Sequence, residues 1–260
     1  MKSLRYILLF GGLFTLVYAF GFIFQMPFAL RFWPWPDGRY SYLFVGSIFA
    51  AVSAAALWIG WTGDFGALPA GSLNVFVIEV TAGIYFLTLI LREGRAGLLA
   101  FVIVPFLLAI VSGGFFLWSR KLDLHDTRST PTFIRISFVI FFVSLVFAGI
   151  ALIVRAPIFP WKLNPDSSVI FGCIFLGDAF YFLYALLVPH LSNAIGQLLS
   201  FLAYDLALIG PFMQLFDSVE PAFRLNLIVY VVVLIFSGLL AAYYLFINPQ
   251  TRDWLRSSRT

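Results

Sequence analysis

Eight apolar segments, each about 20 residues long, fill most of this 260-residue chain. We place them at 6–26, 41–61, 71–91, 97–118, 134–154, 168–188, 192–215 and 225–247. A helix of this length spans the hydrocarbon core of a bilayer and satisfies its backbone hydrogen bonds internally. The in–out alternation typical of barrel strands is absent from the sequence. The sequence therefore predicts an all-α integral membrane protein with about eight transmembrane helices.

The composition supports a lipid environment and argues against a soluble domain. Charged residues make up 11% of the chain and hydrophobic residues 62%, whereas a soluble domain carries about a quarter charged residues. The net charge is +4, but the lysines and arginines are scattered at the ends of the apolar segments. Because they form no basic patch, we expect no nucleic acid as a partner.

An internal repeat is indicated when the chain is shifted by 126 residues against itself. Seven identities then fall between positions 34 and 57, where composition alone would give roughly two or three. The matching residues are Pro34-Trp35 with Pro160-Trp161, Ser41 with Ser167, Gly46 with Gly172, Ile48-Phe49 with Ile174-Phe175, and Leu57 with Leu183. Chance similarity between hydrophobic helices is the alternative explanation.

The repeat predicts a division of the chain into two halves of like orientation. We assign 1–119 and 134–248 to two parallel four-helix repeats, with one offset of 126 relating all four helices. A polar linker occupies 120–133, and a basic tail occupies 249–260. Since the number of spans is even, both termini lie on one side of the membrane.

The distribution of positive charges gives an expected orientation. Nine lysines and arginines fall on the side of the termini and seven on the other side, which favours cytoplasmic termini. We therefore expect a multi-pass protein of a bacterial inner membrane. Trp33, Trp35 and Trp161 lie in loops on the opposite side, where indoles usually occupy the headgroup level.

Three acidic residues lie inside predicted spans, where a charged side chain costs at least ~2.5 kcal/mol. They are Glu79, Asp178 and Asp205, and the shift of 126 aligns Glu79 with Asp205. One interpretation is a pair of protonatable groups near the interface between the halves, able to carry a proton, bind a cation or hold a polar ligand. The other is that each acid bonds a polar group of a neighbouring helix and has a structural role.

Polar residues also recur at helical spacing in the seventh span, where Asn193, Gln197, Ser200 and Tyr204 form a stripe with Asp205 at its flank. Such a stripe is expected to face protein or a cavity. The first half has Val52 and Ile78 where the second has Asp178 and Tyr204, so we expect the ligand site in the second half. The candidate ligand- or proton-binding residues are Glu79, Asp178, Asn193, Gln197, Tyr204 and Asp205.

Catalytic and metal-binding patterns are missing from the sequence. No phosphate-binding, nucleophile-elbow or zinc-protease motif occurs in a usable context, and no loop is long enough for a catalytic domain. The chain has one cysteine and two histidines, His125 and His190, so we predict no metal centre and can name no cofactor. The absence of these patterns argues against an enzyme, although an intramembrane enzyme stays open.

Two functional hypotheses follow from the sequence. The first is a small carrier or ligand-binding membrane protein that uses the buried carboxylates, with proton coupling as one option. The second is a non-catalytic scaffold or accessory subunit of a larger membrane complex. The expected partners are the lipid bilayer and either other membrane proteins or a second copy of the chain.

Overall fold

The computed structural model describes residues 2–254 and is 79% helical, with no strand in that range. Eight of its helices are long and apolar enough to cross a membrane, which confirms the multi-pass prediction. They are α1 (Lys2–Ile23), α2 (Arg39–Thr62), α3 (Leu68–Glu93), α4 (Leu99–Ser119), α5 (Thr132–Ile153), α6 (Pro165–Leu187), α7 (Leu191–Leu215) and α8 (Arg224–Ala242). Of the predicted basic tail, 255–260 lie outside the described residues.

The helix pairing divides the eight helices into an inner and an outer set. In each half the first helix packs on the second and the third on the fourth, giving the pairs α1–α2, α3–α4, α5–α6 and α7–α8. The main contacts between the first four and the last four helices are α2 with α7 and α3 with α6. Helices α2, α3, α6 and α7 therefore form the centre, and each is backed by one outer helix.

Glycines allow several of these helices to approach closely. A β-carbon on Gly172 of α6 would lie 2.6 Å from the carbonyl oxygen of Gly149 on α5. A β-carbon on Gly177 would lie 2.7 Å from the carbonyl oxygen of Asn74 on α3. Small residues of this kind are the usual means of close packing between membrane helices, because hydrocarbon supplies no hydrophobic drive for association.

Helices α1 and α5 end in the same way. Gln25 has φ 53° and Arg155 has φ 63°, two left-handed residues each placed two positions after its helix. The N–H of Gln25 and the N–H of Arg155 each donate to the carbonyl three residues earlier, at 3.1 Å and 2.9 Å respectively. The N–H of the following residue in each case donates to the carbonyl five residues before it, at 2.7 Å after α1 and 2.8 Å after α5. This left-handed cap turns the chain sharply, and after α1 it leads into a short helix, Pro27–Leu30, that the sequence did not predict.

The linker between α4 and α5 covers the end of the bundle where α7 begins, which we call the linker end. The N–H of Leu191 donates to the carbonyl of Arg128 at 2.8 Å, so the linker caps the start of α7. Burial alone would raise the pKa of Asp126, but hydrogen bonds and charge from Arg128 outweigh burial and hold that pKa below its ordinary value. Arg128 also donates to the carbonyl of Gln250 at 2.7 Å and so joins the linker to the C-terminal segment.

At the opposite end, which we call the tryptophan end, indoles are tied into the protein. Trp33 Nε1 donates to Asp37 at 2.8 Å, and Trp161 Nε1 donates to Ser41 at 3.0 Å. Trp35 stacks on Phe86, with ring centroids 5.5 Å apart. These three residues were expected to be headgroup anchors; the structure gives each of them a partner within the protein, so their role includes fixing the loops to the helix ends.

Candidate functional site

Many serine and threonine hydroxyl groups inside the spans donate to a carbonyl of their own helix. Thr81 Oγ1 donates to the carbonyl of Val77 at 2.7 Å, and Ser112 Oγ donates to the carbonyl of Leu108 at 2.7 Å. Such back-bonding satisfies a hydroxyl without help from a neighbouring helix or from water. The polar groups that remain are few, and they concentrate on the inner helices.

Asp205 lies near the middle of α7, 14 residues after Leu191 in a helix of 25 residues. Its side chain is only 5% exposed, and neither carboxylate oxygen has a hydrogen-bond partner among the described residues. The carboxyl group packs on α8, since a β-carbon on Gly238 would lie 3.3 Å from Asp205 Oδ2. The Ser237 hydroxyl lies near enough to interact with this carboxyl group, although its well-formed hydrogen bond is to the carbonyl of Val233 at 2.8 Å. A buried polar group without a partner is rare, and in hydrocarbon it is costly.

A pair of tyrosines lies beside Asp205. The hydroxyl groups of Tyr204 on α7 and Tyr230 on α8 are hydrogen-bonded to each other. Tyr204 directly precedes Asp205 in α7, and Tyr230 is on α8, the helix on which the Asp205 carboxyl packs. The tyrosine pair and Asp205 therefore belong to the same α7–α8 pair of helices at mid-depth.

Asp178 is paired across the two halves of the chain. Asn74 Nδ2 on α3 donates to Asp178 Oδ1 on α6 at 2.7 Å. This contact satisfies one carboxylate oxygen and joins the α3–α6 pair in the interior. The other polar atom of the amide, Asn74 Oδ1, is buried and has no partner among the described residues.

Glu79 is the sequence candidate that stays apart from the others. It is half-buried on α3, and within residues 2–254 it makes no hydrogen bond or ion pair. We expected Glu79 and Asp205 near the interface between the halves, but Asp205 faces its own outer helix, α8. The reason is rotational: Ser200 of α7 faces α2, and a residue five positions later points to a different side of the same helix.

The polar stripe of α7 is buried against α2. Ser200 Oγ donates to the carbonyl of Ala51 at 2.9 Å, which fixes the facing helix. Asn193 is 1% exposed and donates its Nδ2 to the carbonyl of Val188 at 2.9 Å, while its Oδ1 has no partner in the described part of the chain. Gln197 is 9% exposed and makes no hydrogen bond with any described residue.

Two polar residues of this region were missed by the sequence analysis, Trp58 and Asn74. Trp58 Nε1 is buried without a partner among residues 2–254, although the side chain is only 6% exposed. A tryptophan one turn before the end of a span has the pattern of an interfacial anchor, so its position gave no signal. Asn74 could have been found by the criterion that selected Asn193, a polar amide inside an apolar span.

No group of three or more histidine, cysteine or acidic side chains able to hold a metal occurs in the described range. His190 precedes α7, and its Nδ1 lies 2.9 Å from the carbonyl oxygen of Thr127 in the linker. His125 is exposed in the linker. Both histidines therefore belong to the linker end and lie away from Asp205 and the tyrosine pair at mid-depth.

Comparison of the chain with protein-family models, curated proteins and solved structures finds no match.

The unpartnered state of Asp205 leads to a prediction about stability. We expect Asp205→Asn to raise the free energy of unfolding in detergent at neutral pH by about 1 kcal/mol, because the amide keeps the shape and cannot ionise. Asp178→Ala is the matched comparison and should lower the same free energy, since it removes the partner of Asn74. If Asp205→Asn is as destabilising as Asp178→Ala, the Asp205 carboxyl holds the fold together and has a structural role.

Proposed function

We propose that the protein is a proton-coupled membrane carrier for small polar solutes, in which Asp205 takes up and releases the coupling proton. The observation that carries this proposal is the Asp205 carboxyl group, buried at mid-depth with both oxygens unpartnered among the described residues. An ionisable group at such a position is by default a functional one, because hydrocarbon penalises it.

Two other acids with little exposure, Asp178 and Asp166, support this assignment by contrast. Asp178 accepts a hydrogen bond from Asn74, and Asp166 at the tryptophan end accepts one from Arg95 at 2.7 Å. Each of these carboxylates has the partner expected of a structural acid. Asp205 has no partner of this kind among the described residues, since the neighbouring Ser237 hydroxyl donates to its own helix.

In this proposal the tyrosine pair is a path for the proton. A hydroxyl can donate one hydrogen bond and accept others, so linked hydroxyls can pass protons between acids. The hydroxyls of Tyr204 and Tyr230 are hydrogen-bonded to each other, and Tyr204 directly precedes Asp205 in α7. In our proposal the pair connects the α7–α8 interface, where Asp205 lies, to the interior, where Asp178 meets Asn74.

We further propose that the two halves are parallel repeats related by an axis along the membrane normal. The helix pairing fits two equivalent halves. When each helix is replaced by its counterpart in the other half, the α2–α7 pair becomes the α6–α3 pair, and both pairs are in contact. Ring contacts also recur 126 residues apart, as Trp35 meets Phe86 and Trp161 meets Phe212. The first helices do not follow this offset: α1 begins at residue 2 and α5 at residue 132, which is 130 residues later.

The first helices are 130 residues apart, and not 126, because one loop is longer than its counterpart. Residues 24–38 join α1 to α2, whereas the shorter stretch 154–164 joins α5 to α6. The four additional residues in the first loop account for the change from 130 to 126. The left-handed residues after α1 and α5, Gln25 and Arg155, are likewise 130 apart, so the relation extends to the helix caps.

For the cellular setting we propose a bacterial inner membrane with both termini in the cytoplasm. The linker end then faces the cytoplasm, in keeping with its basic residues Arg120, Lys121 and Arg128. The tryptophan end faces the other side.

A scaffold or accessory subunit is the second candidate, and Glu79 favours it. A half-buried acid without a partner in the described chain could be satisfied by another membrane protein or by a second copy. On this hypothesis, native mass spectrometry from a gentle detergent finds a stable second chain, and Glu79→Gln releases it. A wild-type chain that is strictly monomeric would contradict this candidate.

The carrier proposal predicts solute-driven proton movement that depends on Asp205. Purified protein is placed in vesicles that contain a pH-sensitive dye, and inward gradients of small polyols and amides are applied in turn. We expect at least one solute to change the internal pH, and Asp205→Asn to reduce the rate at least about tenfold, which corresponds to 1.4 kcal/mol.

The matched control is Asp217→Asn, which changes an exposed aspartate in the loop after α7 and should leave the rate unchanged. The carrier proposal is wrong if Asp205→Asn retains the wild-type rate while folding normally. It is also wrong if no solute of these classes moves protons in the wild type.

A further inference from the structure

The helix pairs arrange the eight helices in two rows. Helix α2 packs on α1 and α7, and α7 packs on α8, which gives a first row in the order α1–α2–α7–α8. Helix α3 packs on α4 and α6, and α6 packs on α5, which gives a second row in the order α4–α3–α6–α5. Each row therefore contains one hairpin from each half of the chain, and the proposed repeat relation exchanges the two rows.

At mid-depth the side-chain hydrogen bonds between described helices join members of the same row. Ser200 on α7 donates to the carbonyl of Ala51 on α2 in the first row. Asn74 on α3 donates to Asp178 on α6 in the second row. The tyrosine pair joins α7 to α8, again within the first row. These contacts stabilise each row as a unit and do not tie one row to the other.

At the tryptophan end the hydrogen bonds run from one row to the other and meet at Asp37. This carboxylate, in the loop before α2, accepts from Ser41 Oγ of α2 at 3.3 Å and from the Ser167 hydroxyl of α6. It also accepts from Trp33 Nε1 at 2.8 Å. Trp161, in the loop before α6, donates to Ser41 Oγ at 3.0 Å and so joins the rows a second time. We call these five residues the Asp37 network.

The two serines of the Asp37 network are aligned by the internal repeat. A shift of 126 places Ser41 on Ser167, and both residues are fully buried. The same shift places Asp37 on Leu163, so the second half has no carboxylate at the corresponding position. One carboxylate of the first half therefore serves the serines of both halves. A carboxylate suits this point because it accepts several hydrogen bonds and donates none.

Aromatic rings fill the space between the rows just inside the Asp37 network. Phe44 lies about one turn into α2 from Ser41, and Phe171 lies about one turn into α6 from Ser167. Both phenylalanines are fully buried, and their ring centroids are 4.5 Å apart. The ring of Phe159 lies 5.2 Å from that of Phe44 and 5.5 Å from that of Phe171. Water entering from the tryptophan end would have to pass both the network and these rings.

The face of α6 that begins at the Asp37 network leads to Asp178. Ser167, Phe171, Ile174 and Asp178 are spaced by three or four residues, so they lie along one face of the helix. Separation of the rows at the tryptophan end would therefore open a route along this face to the Asp178 carboxyl group.

We propose that the tryptophan end is a gate between the two rows, closed in this structure by the Asp37 network, and that its opening gives Asp178 access to that side of the membrane. Opening breaks the hydrogen bond between Ser167 and Asp37 and the one between Trp161 and Ser41. Each row moves as a unit because the hydrogen bonds within it are kept, as in the rocking of one helix bundle against another. This inference rests on the proposed carrier function and supplies its route to one side of the membrane.

The reaction rate of a cysteine placed inside the gate measures how often the gate opens. Cys173 is the natural cysteine of the chain, so Ile174→Cys combined with Cys173→Ser leaves a single thiol, two turns inside Ser167. In detergent, a charged methanethiosulfonate reagent modifies this thiol at a rate that follows the open population. We expect Ser167→Ala to raise the rate about tenfold, which corresponds to the loss of a hydrogen bond of about 1.4 kcal/mol. Asp37→Ala should raise it further, because it removes every hydrogen bond to the carboxylate.

Ser168→Ala is the matched control. This neighbouring serine is also buried, but its hydroxyl donates to the carbonyl of Leu152 on α5, within the second row, at 2.8 Å. The control should therefore react at the rate of the parent single-cysteine protein. The gate is overturned if Ser167→Ala and Ser168→Ala react at equal rates, or if the parent protein already reacts as fast as one with an exposed thiol.

The labelling experiment needs no transport assay, so the gate and the carrier function can fail separately. Faster modification of Ser167→Ala in a protein that moves no protons keeps the gate and rejects the carrier. Equal rates for the two serine variants, with proton flux that still depends on Asp205, reject the gate alone.

Discussion

Hydrocarbon offers no hydrogen-bond partner, and the whole interior of this protein is ordered by that constraint. Helices satisfy the backbone, and many serines and threonines bond back to their own helix, as Thr81 and Ser112 do. A polar side chain that cannot bond within its own helix bonds to a neighbouring helix, as Asp178 does by accepting a hydrogen bond from Asn74. The groups that break this rule then stand out, and they are the basis of both functional proposals.

The exceptions lie in two places with different chemistry. Asp205 faces the outer helix α8, is ionisable and has no partner in the described chain. The α2–α7 interface holds neutral groups, among them Trp58 Nε1 and Asn193 Oδ1. Asp205 and Asn193 are both on α7, so a shift or rotation of that helix would alter the surroundings of both.

Much of the architecture could be predicted because it follows from local pattern. The eight helices begin and end within four residues of the predicted spans when the final turn Tyr243–Ile247 is counted with α8. The stripe of α7 was also visible, since Asn193, Gln197 and Ser200 recur at helical spacing. These features depend only on neighbours in the sequence.

The rest depended on which helices meet, which a single sequence does not specify. Glu79 and Asp205 align in sequence, but pairing α7 with both α2 and α8 directs Asp205 away from the centre. Trp58 has the position of an interfacial anchor, and only the structure shows that its indole N–H is buried without a partner among the described residues. The contribution of a polar residue in a membrane is therefore set by its partner helix as much as by its depth.

The central claim is that the Asp205 carboxyl exchanges a proton in the folded protein. Infrared difference spectroscopy of the protein in lipid, recorded between an acidic and an alkaline buffer, tests it most directly. We predict a band of a protonated carboxyl group that is present in the wild type, persists in Asp178→Asn and is lost in Asp205→Asn. Identical difference spectra for the wild type and Asp205→Asn would contradict the account.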